Sequence, residues 1–307
     1  MTARDYSIAG LRLRLADERF AFGGMEPFRI PALAKGAPDL EIRFGTLPET
    51  LDLRRRTIDT FDFPDADADC RLERCTPTEY LFTMTPRSGR RPVQFRSDLR
   101  TGVCLSDFRH DDLPALFRFG LWMALNLQAV GQGVAALHSS VIIHRGEGVL
   151  FLGESGTGKS THTRLWRQHI PGCELLNDDS PFVRTATTTA TATDTTATAA
   201  STDGRPCVCG SPWSGKTPCY RPLEIPIRAI VRLSQGPENR IERLPLLRAY
   251  GALQPSFPPS LAYDETLADG INTILSRLLR CVPVYHLSCR PDADAAQLAC
   301  NTLYAPQ

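Results

Sequence analysis

One eight-residue segment constrains the fold of this chain more than any other: Gly153-Glu-Ser-Gly-Thr-Gly-Lys-Ser160. The apolar run Val149-Leu-Phe-Leu152 precedes it and predicts a short buried strand, and residues 160–169 continue in a helical pattern. The glycines favour a loop whose backbone adopts conformations closed to most other residues. A strand, a glycine-rich loop and a helix in direct succession predict an α/β domain.

The segment matches the pattern G-x-x-x-x-G-K-[S/T], which is typical of a loop that binds nucleotide phosphates. Glycines let backbone N–H groups turn toward phosphate oxygens, and the following helix N-terminus adds partial positive charge. We expect Lys159 to reach the β- and γ-phosphates and the Ser160 hydroxyl to bind Mg²⁺. The alternative is a glycine-rich turn that only caps a helix. The predicted ligand is ATP with Mg²⁺, although the loop alone does not distinguish ATP from GTP. The predicted binding residues are Gly153, Glu154, Ser155, Gly156, Thr157, Gly158, Lys159, Ser160, Thr161 and Lys216.

Lysine is rare in this chain, and its positions are informative. Only three lysines occur among the 35 Lys and Arg residues, and they are Lys35, Lys159 and Lys216. A sequence that drifts toward arginine should keep lysine where a compact ammonium is needed. Lys216 follows a glycine, as Lys159 does. The segment Ser214-Gly-Lys216 is therefore either a second phosphate-contacting turn or an ordinary surface turn.

Two adjacent carboxylates, Asp178 and Asp179, follow the apolar run Glu174-Leu-Leu176. A phosphate-binding loop of this type needs an acidic partner that holds the metal ion. Two neighbouring carboxylates repel each other unless a cation is present. We expect one aspartate to face Mg²⁺ and the other to accept a proton from an attacking hydroxyl, and the sequence leaves open which does which. The alternative is a helix cap or turn at Asp-Asp-Ser-Pro.

Three stretches together resemble the catalytic domain of the HPr serine kinase/phosphorylase family: His138-Ser-Ser-Val-Ile-Ile143, Gly148–Ser160 and Leu175-Leu-Asn-Asp-Asp179. The resemblance is strong over residues 136–183 and weak from there to the C-terminus. It implies the P-loop fold that this family shares with phosphoenolpyruvate carboxykinases. It also implies that the catalytic residues are Lys159, Asp178, Asp179 and His138, with His138 near the transferred phosphate. Without the resemblance, His138 would more often be a core or strand-end histidine.

The chain departs from that family at two places. Thr161 stands where an acidic residue usually follows the Lys-Ser pair, and Gly210–Lys216 stands where a later Glu- and Gly-rich signature is expected. The sequence predicts an ATP-dependent phosphotransferase whose acceptor is a hydroxyl on a protein serine or a small molecule. The alternatives are a nucleotide-binding regulator or scaffold without an acceptor, and a carboxykinase-type enzyme, which would need a metal-binding His/Lys cluster.

The rest of the sequence predicts two regions. Residues 1–110 form a mainly β accessory region, with strands over Ile8–Leu15, Leu40–Phe44, Tyr80–Met84 and Val93–Arg96. Residues 111–307 form the loop-containing domain, with helices over 114–132, 160–169, 244–253, 267–279 and 293–304 and strands over 136–144, 149–152, 174–176, 227–233 and 284–288. Residues 185–204 are almost all Thr and Ala and predict a low-complexity loop inside this domain.

Composition limits the expected partners. The net charge is +1, so no global field favours nucleic acid or a membrane surface. No apolar run reaches spanning length, and the polar N-terminus lacks a signal-peptide core, which together predict a cytoplasmic protein without a membrane partner. The ten cysteines lack zinc-finger spacing and are expected to be free thiols. A homo-oligomer is compatible with the sequence.

Overall fold

The computed structural model describes residues 2–32, 36–47, 55–185 and 204–305. Within these residues the chain is a mixed α/β protein with two large mixed sheets and five α-helices. It divides into two compact units, one formed by Met1–Gln132 with Ser260–Asp269 and the other by Gly133–Pro259 with Gly270–Gln307. The α/β class predicted from the sequence is confirmed at this level.

The first unit contains one sheet that comprises nine of its described strands. These are β1 (Arg4–Ile8), β2 (Leu11–Leu15), β3 (Arg29–Ile30), β4 (Leu40–Phe44), β5 (Arg56–Phe63), β6 (Ala68–Arg74), β7 (Glu79–Pro86), β8 (Val93–Asp98) and β9 (Val103–Ser106). Their order across the sheet is β3-β1-β2-β4-β9-β8-β7-β6-β5. The prediction of one strand over Ile8–Leu15 is wrong. Ala9 and Gly10 both have positive φ and form the two-residue turn of the β1–β2 hairpin.

Helix α1 (Pro114–Val130) packs on this sheet and confirms the predicted buried helix. The Phe119 ring lies 5.6 Å from the Phe82 ring on β7, measured between centroids. Gly120 approaches β8 so closely that a Cβ added there would stand 2.1 Å from a ring carbon of Phe95. The helix therefore belongs to the first unit, whereas the sequence predicts a boundary near residue 110 that assigns it to the second.

The short segment 260–269 returns to the first unit from much later in the chain. Its Asp264 side chain is fully buried and accepts hydrogen bonds from Arg56 at 2.8 Å, Arg74 at 3.0 Å and the Tyr80 hydroxyl at 3.1 Å. A buried carboxylate is tolerated only with such partners. The segment is therefore an integral part of the first unit.

Replacing Gly120 with alanine tests the packing of α1. Alanine favours a helix by about 1 kcal/mol over glycine, but its Cβ would have to displace the Phe95 ring, and overpacking a core costs about 1–3 kcal/mol. We expect Gly120→Ala to be less stable than the wild type by about 1 kcal/mol in urea denaturation. The control is Gly131→Ala, whose added Cβ meets open space and should be neutral or stabilising. Equal stability of the two variants would contradict the close approach.

The second unit is built from the remaining described strands and helices. The strands are β10 (Val134–Ala136), β11 (Ser139–His144), β12 (Glu147–Leu152), β13 (Glu174–Asp179), β14 (Phe182–Arg184), β15 (Cys207–Cys209), β16 (Glu224–Gln235), β17 (Arg240–Arg243) and β18 (Val284–Cys289). The helices are α2 (Lys159–His169), α3 (Leu246–Leu253), α4 (Glu265–Cys281), which starts in the first unit, and α5 (Ala293–Leu303). The sheet order is β10-β14-β15-β16-β12-β11-β13, and β18 pairs with both β16 and β17.

Most predicted elements of this unit are confirmed with shifted ends, but the single strand over 136–144 is wrong. It is two strands, because β10 pairs with β14 whereas β11 pairs with β12 and β13. The strand predicted over 174–176 continues through both aspartates as β13. The predicted low-complexity loop over 185–204 lies, apart from its first and last residues, outside the described residues.

The strands β12, β13, β16 and β18 run in the same direction. β12 pairs in parallel with β16, and β16 with β18, while β11 is antiparallel to both β12 and β13. The ends of β12, β13, β16 and β18 therefore meet at one side of the sheet, which we call the C-terminal edge. Ligands of open α/β sheets bind at such an edge.

The sheet is supported on one face by an apolar core shared with α2 and α5. Its buried members include Phe151, Trp166, Val231, Leu287 and Ala299. This packing fixes the helix that follows β12 and thereby the loop between them. No helix in the described part of the chain is long and apolar enough to cross a membrane.

Candidate functional site

The glycine loop, residues 153–158, joins β12 to α2 at the C-terminal edge. Gly156 and Gly158 have φ of +82° and +102°, in the region that favours glycine. Gly158 immediately precedes α2, so the chain turns sharply into the helix. The first N–H groups of a helix have no intrahelical partner, and no side chain caps those of α2 within the described residues. The arrangement suits an anion at the start of α2.

Lys159 is folded back onto the glycine loop. Its Nζ donates hydrogen bonds to the carbonyl oxygens of Gly153 at 2.7 Å and Glu154 at 3.2 Å. Burial lowers the pKa of the Lys159 ammonium from its ordinary 10.5, and the carboxylates of Asp179 and Asp178 oppose that shift. The ammonium therefore lies against the loop carbonyls and is attracted electrostatically by both carboxylates.

Ser160 and Asp178 are brought together although 18 residues separate them. The Ser160 hydroxyl donates to Oδ1 of Asp178 at 2.9 Å. Asp178 is only 4% exposed, and its Oδ2 is buried and accepts no hydrogen bond from the described residues. Leaving a buried charged oxygen without a donor is costly, which makes this oxygen a natural ligand for a cation.

The donor set at Ser160 and Asp178 fits Mg²⁺. This ion is usually held by one or two carboxylates together with waters and substrate phosphates. No group of three or more His, Cys, Asp and Glu side chains suited to a metal occurs in the described ranges. Mg²⁺ at a phosphate-binding loop does not need such a group.

Asp179 and His138 form a second pair at the same edge. Asp179 Oδ1 lies 3.3 Å from His138 Nδ1, and the two side chains are 44% and 48% exposed. His138 is positioned by its backbone N–H, which donates to the Ser256 carbonyl at 2.7 Å. Asp179 has φ of +152°, which residues with side chains rarely adopt, and its pairing with Ser139 on β11 holds it there. The pair is open to an incoming molecule, unlike Asp178.

The segment 213–216 packs against both aspartates. The Gly215 N–H donates to the Asp178 carbonyl at 2.5 Å, and Ser214 forms a β-bridge with Asp179. A Cβ on Gly215 would stand 2.8 Å from the Asp178 carbonyl oxygen, so only glycine permits this approach. Lys216 is exposed beside it. The segment therefore lies directly beside both predicted site aspartates.

A buried amide that the sequence did not single out ties these segments together. The fully buried Asn177 donates to the Trp213 carbonyl at 3.0 Å and to the Ser211 hydroxyl at 3.3 Å, and its Oδ1 accepts the Ser180 N–H at 3.0 Å. Buried polar groups need such partners. The sequence feature that could have identified Asn177 is its polar side chain, which directly follows the apolar residues of β13.

On the opposite side of the glycine loop lies a cavity of about 430 Å³. It is lined by loop residues Glu154–Thr157 and by the ends of β16 and β18, through Arg232, Leu233, Ser234, Gln235 and His286. None of these strand residues was predicted as a site residue. They immediately follow an apolar run, and the rule that ligands bind beyond parallel strands could have identified them.

Helix α2 is anchored beneath the loop by two buried side chains. Trp166 is fully buried, and its Nε1 donates to His162 Nε2 at 3.1 Å. Burial lowers the pKa of His162 to about 4. The ring is therefore neutral at neutral pH and can accept this hydrogen bond.

No protein-family model matches the chain, and no curated protein is similar enough to count as a relative. Its function is therefore inferred from the residues and geometry of the C-terminal edge.

The buried His162 should make the second unit acid-sensitive. Its pKa falls from 6.5 to about 4 in the fold, a shift worth about 3 kcal/mol. Because the fold favours the neutral ring, this stability is complete above pH 6.5 and is lost as the pH falls toward 4. We expect His162→Gln, which keeps an acceptor for Trp166 but does not titrate, to show a shallower loss of stability in urea denaturation across this range.

The matched control is His169→Gln at the exposed end of α2, which should keep the wild-type pH dependence. An unchanged slope in His162→Gln would contradict the depressed pKa.

Proposed function

We propose that this chain is an ATP-dependent phosphotransferase of the HPr-kinase-like P-loop type, which transfers the γ-phosphoryl group to a hydroxyl. One observation supports the proposal most. Ser160 of the loop motif donates to Asp178 at 2.9 Å, and the other carboxylate oxygen of Asp178 is buried without a donor. A glycine turn that only caps a helix has no use for a buried carboxylate beside its serine, whereas a Mg²⁺-nucleotide site requires one.

In this proposal the nucleotide phosphates lie on the glycine loop and the start of α2. The loop N–H groups and the Lys159 ammonium bind phosphate oxygens. Nucleotide binding must therefore move Lys159 Nζ from the carbonyls of Gly153 and Glu154, its present partners, to those oxygens. The hydrogen bonds that the ammonium donates would then be stronger, since phosphate oxygens are charged acceptors.

The two aspartates take different roles because their surroundings differ. Asp178 and Ser160 would hold Mg²⁺, since Asp178 is buried and has a free oxygen next to the Ser160 hydroxyl. When bound, Mg²⁺ neutralises charge that develops on the β- and γ-phosphates. Asp179 is half exposed and is the proposed general base. The sequence alone leaves open which of the two aspartates holds the metal ion and which acts as the base.

The proton transfer can be written on the atoms of Asp179. An acceptor hydroxyl would donate a hydrogen bond to the Asp179 carboxylate, whose Oδ1 lies 3.3 Å from His138 Nδ1. As the hydroxyl oxygen bonds to the γ-phosphorus, its proton passes to Asp179, and the bond from the γ-phosphorus to the β–γ bridging oxygen breaks. The products are a phosphorylated acceptor and a nucleoside diphosphate.

Replacing Lys159 tests nucleotide binding. Loss of charge-assisted hydrogen bonds should weaken Mg²⁺-ATP affinity in Lys159→Ala by roughly 10- to 100-fold in calorimetric titration. The control is Arg164→Ala, which removes an exposed cation elsewhere on α2 and should leave the affinity unchanged. Unchanged affinity and turnover in Lys159→Ala would remove the basis of the proposal.

Replacing each aspartate by asparagine separates the two roles. Asp178→Asn should lose the Mg²⁺ dependence of nucleotide binding and remain folded, because it removes an uncompensated buried charge. Asp179→Asn should bind nucleotide normally and lose turnover by about 10²- to 10⁴-fold, as expected for a missing general base. Binding and single-turnover transfer or hydrolysis would be measured, with Asp294→Asn on α5 as an exposed control.

Two results would count against a kinase. If both aspartate variants bind nucleotide and transfer phosphate normally, the proposed roles are wrong. If the wild type binds Mg²⁺-ATP but shows neither hydrolysis nor transfer to any tested hydroxyl, the nucleotide-binding regulator describes the chain better.

A further inference from the structure

The glycine loop has two flanks at the C-terminal edge. β12 pairs with β11 on one side and with β16 on the other. The first flank carries His138, Asp178 and Asp179. The second flank carries the ends of β16 and β18 and the cavity of about 430 Å³, which the loop residues Glu154–Thr157 border directly. If the γ-phosphate of a nucleotide faces the first flank, its ribose and base must extend away from that flank. The cavity of the second flank is open to them, because loop residues form part of its lining.

Most of the side chains that line the cavity are polar. Arg232 and Ser234 line it, while Leu233 between them is nearly fully buried. Arg232 contacts the Glu154 carboxylate at 3.5 Å, and the Ser234 hydroxyl lies 2.9 Å from His286 Nε2. The Gln235 amide donates to the Gly156 carbonyl at 3.4 Å and so reaches the loop itself.

This set of groups suits a planar, uncharged, hydrogen-bonding ligand. The charges of Arg232 and Glu154 cancel, so the cavity offers no surplus positive charge to a further anion. A guanidinium can stack on a planar ring, and an amide such as Gln235 both donates and accepts hydrogen bonds. Carboxylate and hydroxyl groups bind the hydroxyls of a ribose. The cavity volume is within the range of small-molecule sites.

We propose that this cavity receives the ribose and base of the nucleotide whose phosphates lie on the glycine loop. The inference rests on the proposed function, because it assumes that the loop binds the phosphates. It assigns nucleoside recognition to Arg232, Ser234, Gln235 and His286.

The test compares two ligands that share phosphates but not a nucleoside, Mg²⁺-ATP and Mg²⁺-tripolyphosphate. Calorimetric titration would be carried out on the full chain, on Ser234→Ala and Gln235→Ala, and on Gln297→Ala. The last variant removes an exposed glutamine on α5 and is the matched control. We expect each cavity variant to bind ATP roughly three- to tenfold more weakly and tripolyphosphate as the wild type does. Gln297→Ala should change neither.

Other outcomes overturn the inference in distinguishable ways. Equal weakening of both ligands would mean that the cavity residues only support the loop. Unchanged ATP affinity with slower phosphoryl transfer would place the acceptor in the cavity instead. If the wild type binds ATP and tripolyphosphate with equal affinity, the ribose and base contribute nothing to binding, and the cavity is not a nucleoside site. Binding of neither ligand by the wild type would refute the proposed function itself.

Discussion

A carboxylate buried at the end of a strand connects the segments that form the candidate site of the second unit. Asp178 meets the Ser160 hydroxyl through its side chain and the Gly215 N–H through its backbone, so the loop motif and the 213–216 segment converge on one residue. Burying a charge without full compensation is unfavourable. A cation bound at Oδ2 of Asp178 would compensate this charge. The proposed function is based on that electrostatic requirement.

Local patterns in the sequence predict the parts of this site that lie close together in the chain. The strand before the glycine loop and the helix after it follow from hydrophobic periodicity and glycine chemistry, and both are present as β12 and α2. The two aspartates are identical in type and adjacent, so no local pattern separates their roles. The tertiary fold gives them different surroundings, since it buries Asp178 and leaves Asp179 half exposed.

Contacts between distant segments were not predictable from one sequence. Arg232 and Glu154 are 78 residues apart and meet only because β16 pairs in parallel with β12. Likewise, β10 and β11 read as one apolar run, and their separation depends on which strands each one pairs with. Strand pairing of this kind is a long-range choice that short windows do not contain.

The return of residues 260–269 to the first unit has a consequence for how the chain is made. Ribosomal synthesis releases the N-terminal part first, and domains usually fold as they emerge. Tyr80, however, lies 184 residues before its buried partner Asp264, and Arg74 and Arg56, which share this carboxylate, lie 190 and 208 residues before it. The first unit therefore cannot form its buried hydrogen bonds to Asp264 until most of the second unit has been translated. For the same reason, a protease that cuts the chain once cannot release either unit whole.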